Sequence, residues 1–391
     1  MSGSTELGAG ADAANRARWR ERAQAEQEAA LPGGTVTVSC SAPLGAGGLG
    51  RHLQEIVDAL GRRGQPRRCI SGSTRVAEGG GGARSADDRV ARRSARELLA
   101  ARALQLPLPL TPGIRAWASA ADFDAFAARR LPSGEHLIAF NGQALAQIGA
   151  ARRAGYASSS LVSANSHIRH VIRQHERARR QYPLERSWAS QMPARNLREY
   201  ERAERVYVAS RYIRDSFLDE GFAEERLSWF PLTPHPRFDA TRREPRTDTF
   251  DIVYVGSLAV HKGVPLLIDA IGRLPFDDLR LRLVGGWGSR GMRRFVERAQ
   301  ASDGRIIAGP GDPQPLLATA RLCVHPAFED GFAYAPAEAL ASGVPVIVSE
   351  DTGMKELIDA PSAGLVVPTG DLDALVGAIE AAYRGELFGG G

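Results

Sequence analysis

The sequence predicts an α/β protein made of two doubly wound, Rossmann-like halves joined by a short hinge. Three observations carry this expectation. The chain has 391 residues, too many for one ordinary core of roughly 100–200 residues. Short β-branched runs alternate with segments of helical periodicity along most of its length, the pattern of a parallel sheet covered by helices. Between Pro231 and Arg246 the composition shifts: four prolines (Pro231, Pro234, Pro236, Pro245) and many arginines mark a linker. The expected organisation is a tail over 1–33, flexible with one helix, a first domain over 34–235 and a second over 246–391.

Each element follows from local pattern. Residues 1–33 are rich in Ala, Glu and Arg, and Pro32-Gly33-Gly34 stops any helix there. Thr35-Val36-Thr37-Val38-Ser39-Cys40 alternates as a strand does. A glycine-rich loop leads into residues 49–62, where Leu53, Ile56, Val57 and Leu60 recur at helical spacing. Residues 65–70 form the second strand, and the glycines over 78–83 a flexible loop. A helix over 90–104, a strand over 136–140, a helix over 143–153 and a strand over 160–164 follow. An arginine-rich helical region over 168–205 precedes a strand over 206–210 and a short helix to Leu218. The second series places strands at 252–255, 281–284, 305–308, 322–325, 344–349 and 365–367, with a last helix over 374–383.

Composition narrows the function classes. With 43% hydrophobic and 24% charged residues the chain is globular rather than disordered. No apolar run approaches the roughly 18 residues of a membrane span, and no signal-peptide core opens the chain, so a cytoplasmic protein is expected. Three dispersed cysteines (Cys40, Cys69, Cys323) exclude a disulfide framework and a cysteine-rich metal site. Of 50 basic residues only Lys262 and Lys355 are lysine. Where Arg fills most cationic positions, a retained Lys marks a place for a compact, flexible charge.

Two stretches carry chemistry. Gly45-Ala46-Gly47-Gly48-Leu49-Gly50 satisfies the dinucleotide pattern G-x-G-x-x-G between a strand and a helix. Four residues separate it from the strand end, however, and the second strand closes on Cys69-Ile70-Ser71 without an acid for a ribose hydroxyl. Arg67 or Arg68 keeps an NADP-dependent oxidoreductase open as an alternative. Otherwise the loop offers backbone N–H groups at a helix N-terminus to a pyrophosphate, or is a tight turn with no ligand. The second stretch runs from His325 through Asp330-Gly331-Phe332-Ala333-Tyr334 to Glu338 and Gly343-Val344-Pro345. It reads as strand, acidic loop, short helix and strand, with Asp330 beyond a strand's carboxyl end, where open α/β sheets bind ligands. Two carboxylates so placed suit a polyhydroxylated ligand; the plain alternative is a loop acid and a helix-face Glu.

This second stretch resembles the retaining GT-B glycosyltransferases of the family 4 type, whose hallmark P-S-x-x-E-G-F-G-x-x-x-x-E-A-x-A-x-G-x-P-V-I carries an E-x7-E pair. By spacing the first acid is Asp330 and the second Glu338; Ala327 replaces the usual Ser. Val255-Gly256-Ser257-Leu258 with Lys262-Gly263 resembles the segment V-G-R-L-x-x-x-K-G, Ser257 standing at the Arg. Residues 199–210 resemble E-x3-A-D-x-V-x-x-x-S, and Pro368-Thr369-Gly370-Asp371 the turn P-x-G-D.

The resemblance implies a GT-B architecture, two Rossmann-like domains facing a central cleft, and retaining transfer from a nucleotide-sugar donor. Catalytic positions would be Asp330 at the donor sugar, Glu338 at the ribose, Lys262 at the leaving diphosphate, and His167, after the fourth strand, at the sugar. Donor-binding positions would be Gly47, Gly48, Ser257, Gly331, Phe332, Ala333 and Tyr334. No cofactor and no metal are implied, since Lys262 supplies the cation. The leaving phosphate oxygen would take the acceptor's proton, so no separate base is named. His170 and His175 read as solvated helix residues, and the helix with which the family crosses back onto its first domain is expected to be missing.

The twelve arginines between Arg169 and Arg214 read as a solvated helical face. A second reading gives them an anionic membrane surface or a lipid-linked acceptor, with peripheral contact at the inner membrane face; a glycan acceptor is the other expectation. Nucleic acid is not expected, because aromatics do not interleave with the arginines. Departures at Ser257, Ala327 and Asp330 leave a third reading, a catalytically weakened GT-B scaffold.

Overall fold

The computed structural model describes residues 13–72, 112–186, 191–239, 243–246, 248–358 and 360–388. The expected glycine loop over 78–83 and helix over 90–104 lie outside the described residues, as do the first twelve residues of the tail. Each half contains a six-stranded, all-parallel sheet. The first comprises β1 (Val36–Cys40), β2 (Arg67–Ser71), β3 (His136–Phe140), β4 (Ser158–Ser163), β5 (Arg205–Val208) and β6 (Leu227–Trp229), in the order β2-β1-β3-β4-β5-β6. The second comprises β7 (Phe250–Val255), β8 (Leu279–Val284), β9 (Ile306–Gly309), β10 (Leu322–His325), β11 (Val346–Ser349) and β12 (Gly364–Val367), in the order β12-β11-β10-β7-β8-β9.

That order positions the site. The direction of winding reverses between β1 and β3 in one sheet and between β7 and β10 in the other. Loops leaving adjacent strands at such a point diverge to opposite faces and open a crevice at the strands' carboxyl ends. The glycine-rich loop leaves β1; Lys262 follows β7 and Asp330 follows β10.

The described helices are α1 (Ala13–Ala30), α2 (Gly47–Arg62), α3 (Pro112–Ala128), α4 (Leu145–Arg153), α5 (Ile168–Gln181), α6 (Gln191–Arg202), α7 (Arg211–Leu218), α8 (Val264–Arg273), α9 (Arg290–Ser302), α10 (Pro313–Thr319), α11 (Tyr334–Ala341) and α12 (Leu372–Tyr383). Among them no helix is long and apolar enough to cross a membrane. Buried Leu53, Ile56, Val57 and Leu60 seat α2 on the sheet, as their spacing predicts.

Four local differences from the sequence expectation have physical causes. The helix of the tail is docked: Trp19, Ala23 and Gln27 are buried, and Gln27 Nε2 donates to Pro231 O (2.8 Å). The Ala-rich α3 was not anticipated; buried Phe123, Phe126 and Ala127 fix it against Ile70. The three-residue β6, too short to leave a pattern, exists because Val206, Tyr207 and Val208 of β5 supply its ladder. The arginine-rich region divides into α5 and α6, and α5 leans onto the other half, with Ala178 inside that half's core and Tyr182 Oη donating to Asp269 Oδ2 (2.9 Å).

The two halves lie closed on one another. One apolar cluster takes Val38, Leu53 and Phe140 from the first half and Phe332, Ala337 and Met354 from the second.

Candidate active site

The centre of the crevice is an ion pair between the two loops that the second sheet sends into it. Lys262 ends a short 3-10 turn, Val260–Lys262, after β7. Its Nζ lies 2.9 Å from Asp330 Oδ2 and donates to Glu329 O at 3.0 Å. Gly263 makes the approach possible: at φ +72° its Cβ position would lie 1.9 Å from Pro326 O, a space no other residue can occupy.

Asp330 is held on both oxygens. Oδ2 also pairs with His325 Nε2 at 3.0 Å, and Oδ1 accepts from the Ala333 N–H at 3.1 Å. Burial alone would raise its pKa, but the Lys262 charge and the His325 contact outweigh it and hold the carboxyl well below the usual range. Asp330 is therefore a fixed negative charge at the start of α11, facing a fixed positive one. Ala333 sits at φ 63°, a left-handed conformation that costs a non-glycine residue about 1 kcal/mol.

Next to this pair the loop is pressed onto the first half. A Cβ on Gly331 would lie 2.2 Å from Ala164 O, so Gly331 is where backbone meets backbone across the crevice. Its carbonyl accepts from Ser210 Oγ at 2.6 Å. Fully buried Glu329 reaches across, its Oε1 accepting from the Ser166 N–H (3.0 Å) and Oγ (2.9 Å). Burial pushes the Glu329 pKa up.

Farther along α11, Glu338 Oε1 lies 2.5 Å from Nη1 of Arg51, which comes from α2 of the first half. Burial raises the Glu338 pKa, and Arg51 opposes the rise. The same guanidinium lies 4.0 Å from the centre of the Tyr334 ring, and Tyr334 Oη donates to Glu55 Oε1 at 2.7 Å. Glu55 Oε2 accepts from Gln27 Nε2 (2.8 Å) and from Thr233 N and Oγ1 (both 3.0 Å). Enclosure raises the Glu55 carboxyl to about 7.

Of the positions singled out in the sequence, Lys262, Asp330, Glu338, Gly331, Ala333 and Tyr334 come together along the first turns of α11. Phe332 is buried, packed edge-on to Tyr334 at 5.3 Å between ring centres. Gly47 and Gly48 form the exposed start of α2; a Cβ on Gly48 would be 4.0 Å from Tyr334 Cδ2. Ser257 is exposed at the end of β7, its carbonyl accepting from Tyr254 Oη at 2.8 Å.

His167 does not reach the crevice, contrary to the expectation. Its ring is buried between Tyr200 and Phe217, each 5.0 Å away, while its N–H donates to Ser216 Oγ at 2.8 Å. Burial pushes its pKa down to about 4, so it is a neutral cap at the start of α5. His170 and His175 are corrected in the opposite sense. Rather than solvated, His170 contacts Tyr212 Oη (3.0 Å) and approaches Asp351 Oδ1 (3.8 Å). His175 stacks on His261 at 4.1 Å, next to Lys262. Helical spacing could have placed both on the face shared with buried Ala178, but without the partner half that face looks like any basic surface.

Two residues absent from the sequence reading, Arg51 and Glu55, complete the site from α2. They stand four apart, hence on one helix face, in front of the apolar stripe. The NADP alternative meets a geometric obstacle: Arg67 and Arg68 begin β2, at the end of the strand away from the crevice, and Arg68 Nη1 donates to Ser133 O. Among the described residues no group of three or more His, Cys, Asp or Glu side chains could hold a metal ion.

Comparison with known proteins agrees with this geometry. Residues 249–384 match the family Glycosyl transferases group 1. The O-antigen chain mannosyltransferase B of Escherichia coli is 32% identical over 131 residues, 32% of this chain and 34% of that protein. The chain thus spans about a third of the length of such curated relatives in the alignment. Sucrose-phosphate synthase from Thermosynechococcus elongatus superposes over 90% of both chains with a TM-score of 0.65 at 19% identity. Anabaena HepE in complex with UDP-glucose does so over 90% of both chains at 0.62 and 16%. Two parallel sheets facing a crevice, matched over nearly their whole length, are the GT-B fold, and within it the match to Glycosyl transferases group 1 covers the second half, residues 249–384.

Proposed function

We propose that the protein is a retaining glycosyltransferase that moves a sugar, of the hexose class, from a nucleoside-diphosphate sugar to a glycan or lipid-linked acceptor. The observation that carries the reading is the Lys262–Asp330 pair at 2.9 Å, set at the start of α11 beyond β7 and β10. The backbone N–H groups of Gly331, Phe332 and Tyr334 serve the donor diphosphate, the Ala333 N–H being taken by Asp330, and the helix dipole adds to their pull. Lys262 stabilises the charge that grows on the leaving diphosphate, a task a fixed cation performs best in a preorganised site. Asp330 meets the donor sugar, and Glu338 accepts from the ribose hydroxyls. The departing phosphate oxygen takes the acceptor's proton, so the chemistry requires neither a separate base nor a metal.

The relatives named as O-antigen and lipopolysaccharide transferases support an acceptor in cell-surface polysaccharide synthesis, and the UDP-glucose complex of a neighbour of like fold supports the donor class. The acceptor lies against the first half, with the enzyme in the cytoplasm or at the inner membrane face. A scaffold without activity is the second reading, favoured by Ser257 at a position that lacks a cation.

The test is thermal stabilisation by UDP, GDP, ADP and NADPH, followed by donor hydrolysis in wild type, Lys262→Ala and Glu338→Ala. Stabilisation by one nucleoside diphosphate is expected, with hydrolysis reduced on the order of a hundredfold in Lys262→Ala. Stabilisation by NADPH alone overturns the reading, as do wild-type rates in both variants; nucleotide binding without any turnover favours the scaffold.

A further inference from the structure

The charge balance of the crevice is incomplete for the donor just proposed. A nucleotide sugar brings two negative charges on its diphosphate, whereas the Lys262 charge is already matched by Asp330 and its ammonium engaged by Glu329 O. Ser257, exposed beside the Lys262 loop, adds none. The second cation that faces α11 from close range comes from the other half of the molecule.

We infer that Arg51 is a donor-diphosphate ligand, delivered to the first turn of α11 by the N-terminal half. The inference rests on the donor reading above. Arg51 and Glu55 form an i, i+4 pair that clasps Tyr334 from two sides, the guanidinium over the ring at 4.0 Å and the carboxylate on the hydroxyl at 2.7 Å. Tyr334 is the first residue of α11. The guanidinium therefore lies along the path from Glu338 to the helix N-terminus, the path that joins ribose to diphosphate in the proposed donor.

Its present partner is the group that the donor claims. Glu338 also accepts from the His235 N–H, and exposed Arg237 acts on it electrostatically. When ribose hydroxyls take Glu338, the Arg51 guanidinium loses its carboxylate partner and exchanges it for phosphate oxygens while keeping its ring contact. The planar fork of Arg suits that exchange, since it binds carboxylate and phosphate in the same two-point geometry. The side chain is 22% exposed, so it can turn without unpacking the core. Gly48, one helical turn before it, carries no side chain; a Cβ there would stand 4.0 Å from Tyr334 Cδ2.

The experiment measures the affinity of wild type, Arg51→Gln and Arg51→Lys for uridine, guanosine, UDP and GDP by calorimetry. Arg51→Gln is expected to weaken the bound diphosphate at least about tenfold, with less than about threefold change for the matching nucleoside, and Arg51→Lys to recover part of the loss. Adding Ser257→Arg to Arg51→Gln is expected to restore diphosphate binding, because it returns a cation to the same pocket. Equal changes for nucleoside and diphosphate in both variants would show that Arg51 only latches Glu338, and would overturn the inference. Wild-type protein that binds none of the four probes overturns the donor reading itself, a distinct result. If Arg51→Gln fails to fold, the Arg51→Lys comparison decides: a diphosphate affinity unchanged from wild type counts against it.

Discussion

The two halves bring the same local device to the crevice, a strand, a glycine-bearing loop and a helix, and build it in opposite ways. After β1 the loop packs Ala42 and Leu44 on the core and then ends in an exposed turn over 46–49, where Gly47 at φ 61° has nothing within 4 Å of a Cβ and the Ala46 N-cap makes no side-chain hydrogen bond. After β10 the loop is almost all buried and locked by charge. Asp330 is bound by Lys262, His325 and the Ala333 N–H, and Gly331 presses on Ala164. A turn held only by its own backbone hydrogen bonds, such as Gly45 N–H to Gly50 O (2.8 Å), can yield to an incoming ligand, whereas a loop of paired charges keeps its shape before one arrives. On the proposed reading the two loops have separate tasks, closing over a diphosphate and holding the reacting groups in place.

Glycine substitutions break this comparison most directly. Gly331→Ala places a methyl against a backbone carbonyl that cannot give, and a cost of about 2–3 kcal/mol with transfer lowered at least about tenfold is expected. Gly47→Ala meets only its own backbone strain, about 1 kcal/mol. Denaturant unfolding of both variants checks the contrast, and equal losses would show that the two loops are not differently packed.

The link between the loops is proton-dependent. Glu55 ties α2 to Tyr334, and its carboxyl is raised to about 7 in the folded protein from 4.5. The folded state therefore holds this proton more tightly than the unfolded one. Stability from this source is complete below pH 4.5 and declines as pH rises toward 7. Glu199, also raised to about 7 where it caps the start of α4 through the Ala144 N–H, contributes in the same window. Glu55→Gln should remove part of that slope in melting temperature between pH 5 and about 7; an unchanged slope would assign it to the other raised carboxyls, Glu199, Glu329 and Glu338 among them. The smallest effect is expected at the strained residue: Ala333→Gly should raise stability by roughly 0.5 kcal/mol, the relief of a left-handed alanine less the added chain entropy.

Much of this arrangement was legible in sequence. Strand and helix alternation marked both halves, because a fully buried parallel sheet demands apolar runs whose pattern is local. The acidic stretch from His325 to Glu338 also declared itself, since loop, helix and carboxylates are contiguous there. The first loop was ambiguous for the converse reason: glycines specify backbone freedom and leave the ligand open. His167 illustrates the limit of position without environment. Its place after β4 matched the expectation, while Tyr200 and Phe217, distant in sequence, drew its ring into the core.

By itself, then, the sequence determined the two-sheet architecture, the Lys262 turn and the carboxylates of α11, all encoded over short separations. Only the tertiary structure decided which groups face them. Arg51 and Glu55 are hundreds of residues from Tyr334 and Glu338, and α5 carries His175 to His261 across the domain boundary. Such pairings depend on how one packed surface closes on another, and neither periodicity nor spacing along the chain records that geometry.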